Sequence, residues 1–137
     1  MMNTGYDVIG DIHGHADELE ALLADLGYEK KGGAWRHPER KAVFLGDFID
    51  RGPRQLEAVD IVRRMVDEGQ AHAIMGNHEF NAIAWYLRDE NGQPLRAHTE
   101  KNFKQHHVFL AELEGKPGLH KDIIDWFLTL PLWQSFD

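Results

Sequence analysis

The stretch Lys41-Ala42-Val43-Phe44-Leu45-Gly46-Asp47-Phe48-Ile49-Asp50-Arg51-Gly52 decides how this chain is read. A short apolar run enters it, Gly46-Asp47 ends that run, and Gly52-Pro53 turns the chain out toward a helical pattern. A strand that ends in Gly-Asp delivers a carboxylate to the C-terminal edge of a sheet, where open α/β sheets bind ligands. A second carboxylate and a guanidinium follow in the same turn. Carboxylates bind hard divalent cations, and the planar arginine fork matches phosphate oxygens. Taken alone, the turn suggests a metal-assisted phosphate site.

Two further stretches have the same form. Tyr6-Asp7-Val8-Ile9 leads into Gly10-Asp11-Ile12-His13-Gly14, and Ala71-His72-Ala73-Ile74-Met75 leads into Gly76-Asn77-His78-Glu79. Three apolar runs therefore each end in Gly followed by an oxygen-bearing side chain, twice with a histidine close behind. Oxygen plus imidazole ligands suit borderline divalent metals such as Mn, Fe, Zn or Ni. Any one turn could simply place Asp or Asn as a helix N-cap. Three of them in parallel-sheet register argue against that reading.

Asp11-x-His13, Gly46-Asp47-x-x-Asp50-Arg51-Gly52 and Gly76-Asn77-His78-Glu79 resemble the first three signature blocks of the calcineurin-like metallophosphoesterases. Within that superfamily they are most similar to the phosphoprotein-phosphatase branch, which includes bacterial diadenosine tetraphosphatases. Met75 stands where eukaryotic members usually carry arginine, which favours the bacterial side. The resemblance implies an α/β fold with a β-sandwich core flanked by helices, and a site with two divalent ions, manganese foremost. Asp11, His13, Asp47 and Asn77 are the implied metal ligands, with Asp47 bridging. His78 is the implied general acid, Asp50 its orienting partner, and Arg51 the clamp on a phosphate oxygen. Glu79 fits either a hydrogen bond behind the ligands or a first-turn helix acid. His15 lies beside the first block. His37, His72, His98, His106, His107 and His120 match no block, and most of them are read as solvated or hydrogen-bonded within the fold.

Composition bounds the alternatives. The 137 residues are 42% hydrophobic, enough for one packed domain, and contain no cysteine, so disulfides and thiolate metal sites are excluded. The formal charge of −8 argues against loose attachment to nucleic acid or anionic membrane. No apolar run approaches the roughly 20 residues of a membrane span, and residues 1–5 lack signal-peptide character, so a soluble cytoplasmic protein is expected.

Helices are predicted over 14–26, with Leu19, Leu22, Leu23 and Leu26 on one face, and over 54–66, with Leu56, Val59, Val62 and Val66 toward the sheet. A hairpin is predicted over 28–40, turning at Gly32-Gly33. Alternating strands and helices imply βαβ crossovers and a parallel sheet. Residues 80–130 read as a helical cap over the strand ends, with Gly115-Lys116-Pro117-Gly118 as a break and a helix from His120. The whole of 1–137 is read as the N-terminal portion of one metallophosphoesterase domain. The family's pattern has three more metal-binding histidines on later Gly-His and Gly-His-x-His blocks. None occurs here, so a fragment lacking most of the second sheet is expected. The expected activity is hydrolysis of phosphomonoesters (phosphoprotein included) or dinucleoside polyphosphates. A non-catalytic scaffold of the same fold is the alternative.

Overall fold

The computed structural model describes residues 5–133 and Ser135. In chain order the elements are β1 (Gly5–Ile9), α1 (Ala16–Asp25), β2 (Glu29–Lys31), β3 (Ala34–Arg36), β4 (Arg40–Phe44), α2 (Gln55–Asp67), β5 (Ala71–Ala73), α3 (Asn77–Tyr86), α4 (Glu100–Glu112) and α5 (Pro117–Phe127). Strands β1, β4 and β5 form a parallel sheet in that order, with Ile9 opposite Phe44 and Phe44 opposite Ala73. β2 and β3 pair as the expected hairpin, with Gly32 and Gly33 both at positive φ in its turn.

In-register partners share a face. Ile9, Ala42, Phe44, Ala71 and Ala73 are buried and line the helix side of the sheet. The other face carries Tyr6 and Val8, the latter 64% exposed. Among the described residues no further sheet pairs with or extends this one.

The core lies between the sheet and α2, α4 and α5, around fully buried Phe44, Phe48, Phe109 and Phe127. Each such side chain stabilises the fold by roughly 2–3 kcal/mol. α2 buries a wider arc than its Leu56-Val59-Val62-Val66 stripe suggests. Ala58, Ile61 and Met65 are buried with Val59 and Val62, while Leu56 and Val66 are only partly covered. The helix is flanked by β3 and β5 as well as by α1 and α4, so more than one face meets protein. α5 begins at Pro117, three residues before the expected start. Proline at the first helical position lacks only an N–H that would be unpaired anyway, so the apparent break is an initiation signal.

α4 is fixed at both ends. Thr99 Oγ1 accepts from the Asn102 N–H at 3.1 Å. At the far end the Glu112 carboxylate accepts from the backbone N–H groups of Gln55 and Leu56 at 2.8 and 3.0 Å. A negative side chain thus caps the positive end of α2, whose own N-cap residue, Arg54, makes no side-chain cap. No helix among the described residues is long and apolar enough to cross a membrane.

At the opposite end of the sheet, Asp7 accepts from Arg40 Nε at 3.1 Å and from the Tyr28 hydroxyl at 2.9 Å. The Arg40 guanidinium holds the Asp7 carboxyl below its ordinary 3.8, against a smaller opposing effect of burial. A carboxyl whose native pKa is depressed adds stability that is complete above its unfolded value and disappears as pH falls through the native one. Asp7→Asn is therefore expected to cost about 1–2 kcal/mol at neutral pH. The gap to wild type should close only below pH 3.8, which urea melts across a pH series would measure.

Candidate active site

Because β1, β4 and β5 are parallel, the turns that follow them open at one end of the sheet. The first two turns are zipped together by backbone bonds: the N–H of His13 donates to Asp47 O at 2.8 Å, Gly14 to Phe48 O at 2.7 Å, and Gly52 to His13 O at 2.6 Å. The second and third touch back to back. A Cβ on Gly46 would fall 2.2 Å from the nitrogen of Gly76, so the approach needs glycine there.

Glu79 is the tie between them. It is fully buried in the first turn of α3, and its Oε1 accepts from the N–H of Asp47 at 2.6 Å and of Gly76 at 3.0 Å. Its Oε2 accepts from Phe48 N–H at 2.8 Å. Both roles read for it in the sequence are thus held at once. Burial pushes its carboxyl above the usual range, and the three backbone donors work in the opposite direction.

Among the described residues, the non-glycine positions with positive φ are Asp11, His13, Asp47, Asp50 and Arg51. All five are in the sequence-predicted site. Left-handed backbone is uncommon outside glycine, and such positions cluster where function needs a side chain aimed in a fixed direction.

Six of the seven predicted residues, Asp11, His13, Asp47, Arg51, Asn77 and His78, line one open cavity of about 460 Å³, together with His15. His13 donates from Nδ1 to the carbonyl of Ile49 at 2.9 Å, so its Nε2 carries the lone pair. That nitrogen lies 3.8 Å from an Asp11 oxygen, and ligand atoms of Asp11, His13 and Asp47 all fall within 4.8 Å of one another. Two carboxylates and a correctly oriented imidazole fit a borderline divalent ion, and Asn77 brings an amide oxygen to the same cavity.

The seventh residue, Asp50, is 3% exposed and lies behind His78, its Oδ2 at 2.8 Å from His78 Nδ1. Arg51 has no carboxylate partner among the described residues. A second cavity of about 530 Å³ adjoins the first, sharing Arg51, Asn77 and His78, and is bordered by Lys104, Gln105 and His107 of α4.

Sequence reasoning missed one residue here. His106 is buried, with Nδ1 at 2.9 Å from Asp50 Oδ1. The available signal was a histidine on the buried stripe of α4 with Phe109, continued by Leu113 just past the helix end, where an apolar residue would be expected. Two of the other unmatched histidines are hydrogen-bonded within the fold as expected: His37 accepts from two backbone N–H groups, and His98 bonds Trp85 O and stacks on its ring. His120 is not, its buried Nε2 having no hydrogen-bond partner among the described residues.

A glutamine at position 79 has one acceptor oxygen for three converging donors. Glu79→Gln should therefore destabilise the protein by about 1–3 kcal/mol. It should also weaken divalent-metal binding, because Asp47 loses its backbone anchor. Denaturant melts and calorimetric metal titration would check both, and unchanged affinity would show that the turn holds its shape without Glu79.

A family model described as calcineurin-like phosphoesterase matches residues 6–137. Bis(5'-nucleosyl)-tetraphosphatase PrpE (asymmetrical) of Bacillus cereus is 44% identical over 140 residues, covering 96% of this chain and 53% of its own length. The protein of the same name from Halalkalibacterium halodurans is 47% identical over 74 residues, 53% of this chain and 30% of its own length. The chain thus spans about half, or less, of the length of these curated relatives. A solved serine/threonine phosphatase from Saccharomyces cerevisiae, with similarity to human phosphatase PP5, shares the fold at TM-score 0.54 and 21% identity, over 93% of this chain and 33% of that one. With the three blocks gathered at one sheet end and the match running through nearly the whole sequence, this chain belongs to the calcineurin-like phosphoesterase family.

Proposed function

We propose that the protein carrying this chain hydrolyses phosphoester or phosphoanhydride bonds at a centre of two divalent ions, with manganese the first choice of metal. The carrying observation is the convergence of Asp11, His13, Asp47, Asn77, Arg51 and His78 on one open cavity. Asp11, His13 and Asp47 would hold one ion, and Asp47 with Asn77 the other. When bound, such ions supply Lewis acidity at the phosphoryl oxygens and a water nucleophile near neutral pH.

The chain's own residues account for the rest. Arg51, with no acid to neutralise it, grips a non-bridging phosphoryl oxygen and offsets the charge that develops there. His78 has its Nδ1 committed to Asp50, so Nε2 is the atom that can deliver a proton. As the bond from phosphorus to the leaving oxygen breaks, that oxygen keeps the electron pair and takes the Nε2 proton. Asp50 hydrogen-bonds and orients that imidazole, as a carboxylate does for a catalytic histidine.

The adjoining cavity favours a substrate with more than one phosphate. Arg51 and Lys104 border it, no carboxylate lines it, and neither cation has an ion-pair partner among the described residues. In a chain of net charge −8, an acid-free cationic groove beside the site suits a phosphate chain. The two PrpE relatives are named for a bis(5'-nucleosyl) tetraphosphate. A dinucleoside polyphosphate is therefore the preferred substrate class, ahead of phosphomonoesters and phosphoprotein.

Leaving-group kinetics with metal analysis test the assignments in the complete protein. His78→Ala should cost about 10²–10⁴-fold with an alkyl phosphate, whose leaving oxygen needs a proton. It should cost far less with an aryl phosphate, and metal content should hold. Arg51→Ala should slow both alike, and Asp47→Ala should lose both ions. Equal losses for the two substrates in His78→Ala, with loss of metal, would make His78 a ligand instead.

A further inference from the structure

Asp50 is bound from two sides. Its Oδ2 meets His78 Nδ1 at 2.8 Å, and its Oδ1 meets His106 Nδ1 at 2.9 Å. An ionised carboxylate only accepts, so both imidazoles donate from Nδ1. His106 is 6% exposed and its ring packs between Trp85 and Phe109, with centroids at 5.7 and 5.0 Å. It comes from α4, 56 residues away in sequence.

Water has little say in how this carboxylate turns. The cavity beside it, bordered by Asp50, His78, Arg96 and His106, measures about 10 Å³. That is room for one water molecule at most. The local cation, Arg96, is taken up elsewhere, donating to the side-chain oxygens of Asn81, Asn102 and Gln105. The two imidazoles therefore set the carboxylate plane between them. With His106 removed, Oδ1 would be buried without a donor, a penalty that rotation of Asp50 could relieve. Such a rotation would take Oδ2 away from His78.

We propose that His106 is a positioning residue: by donating to Oδ1 it keeps Asp50 in the orientation that holds His78 with Nδ1 protonated and Nε2 directed at the leaving group. The inference rests on the reading of His78 as the proton donor. It adds a third member to a pair in which the sequence motif shows only two.

Two substitutions separate this role from space filling. Asparagine at 106 can place an N–H near the Nδ1 position, whereas glutamine of similar polarity reaches the Nε2 position and cannot donate to Asp50. In metal-free protein at fixed pH, imidazole ¹⁵N spectra should show His78 and His106 each protonated at Nδ1. His106→Asn should leave the His78 tautomer unchanged, and His106→Gln should shift it toward a mixture. In metal-loaded complete protein, His106→Gln should lose about tenfold more rate on the alkyl than on the aryl phosphate. His106→Asn should recover most of that. Identical behaviour of the two variants overturns the proposal, as does a wild-type His106 without an Nδ1 proton. If neither variant folds, the wild-type spectrum alone decides. Should His78→Ala show no leaving-group dependence, the reading of His78 fails, while the tautomer comparison still judges His106.

Discussion

Three backbone N–H groups from two separate turns end on one buried carboxylate, that of Glu79. Two of them belong to Asp47 and Phe48, at the head of the turn that bears every catalytic candidate except His78. The third belongs to Gly76, which starts the helix on which Asn77 and His78 sit. The arrangement converts helix capping, ordinarily a local matter, into a long-range clamp. It also explains why Gly46 and Gly76 must meet without side chains, since a Cβ on either would drive the two turns apart. The junction fixes the turn that carries Asp47 against the start of the helix that carries Asn77 and His78.

The parts of the molecule legible in the sequence are those in which local chemistry and fold agree. Gly46-Asp47 and Gly10-Asp11 announce strand ends, and Gly46, Asp47 and Asp11 hold a left-handed backbone that glycine and aspartate tolerate; the two aspartates are also the proposed metal ligands. The hairpin turn at Gly32-Gly33 is readable for the same reason. Less legible features depend on partners far along the chain. His106 stands out only as a histidine at an apolar position, and its partner shows only when α4 is laid against Asp50. Glu112, capping α2 from outside, carries no mark of that role in its own surroundings. The width of the buried arc on α2 is likewise set by how many elements surround the helix, and that number is not written in the helix itself.

α4 links three tasks that the motif blocks do not mention. Lys104 borders the cationic groove, His106 reaches Asp50, and Glu112 anchors α2. Under the proposed reading, one helix would carry a surface for substrate and a contact behind the proton donor, together with its own attachment to the core. A rigid element with those three contacts fixes the groove relative to the reacting atoms, which a mobile loop would not.

The five non-glycine residues with left-handed backbone bear on more than geometry. Each costs on the order of 1 kcal/mol. Their sum approaches the lower end of the net stability of a domain, about 5 kcal/mol. The fold thus carries its site as a burden when the site is empty. An ion that binds only the native chain, at a hundred times its dissociation constant, returns about 2.7 kcal/mol. Under the two-ion reading, bound metal would offset about half of that backbone cost.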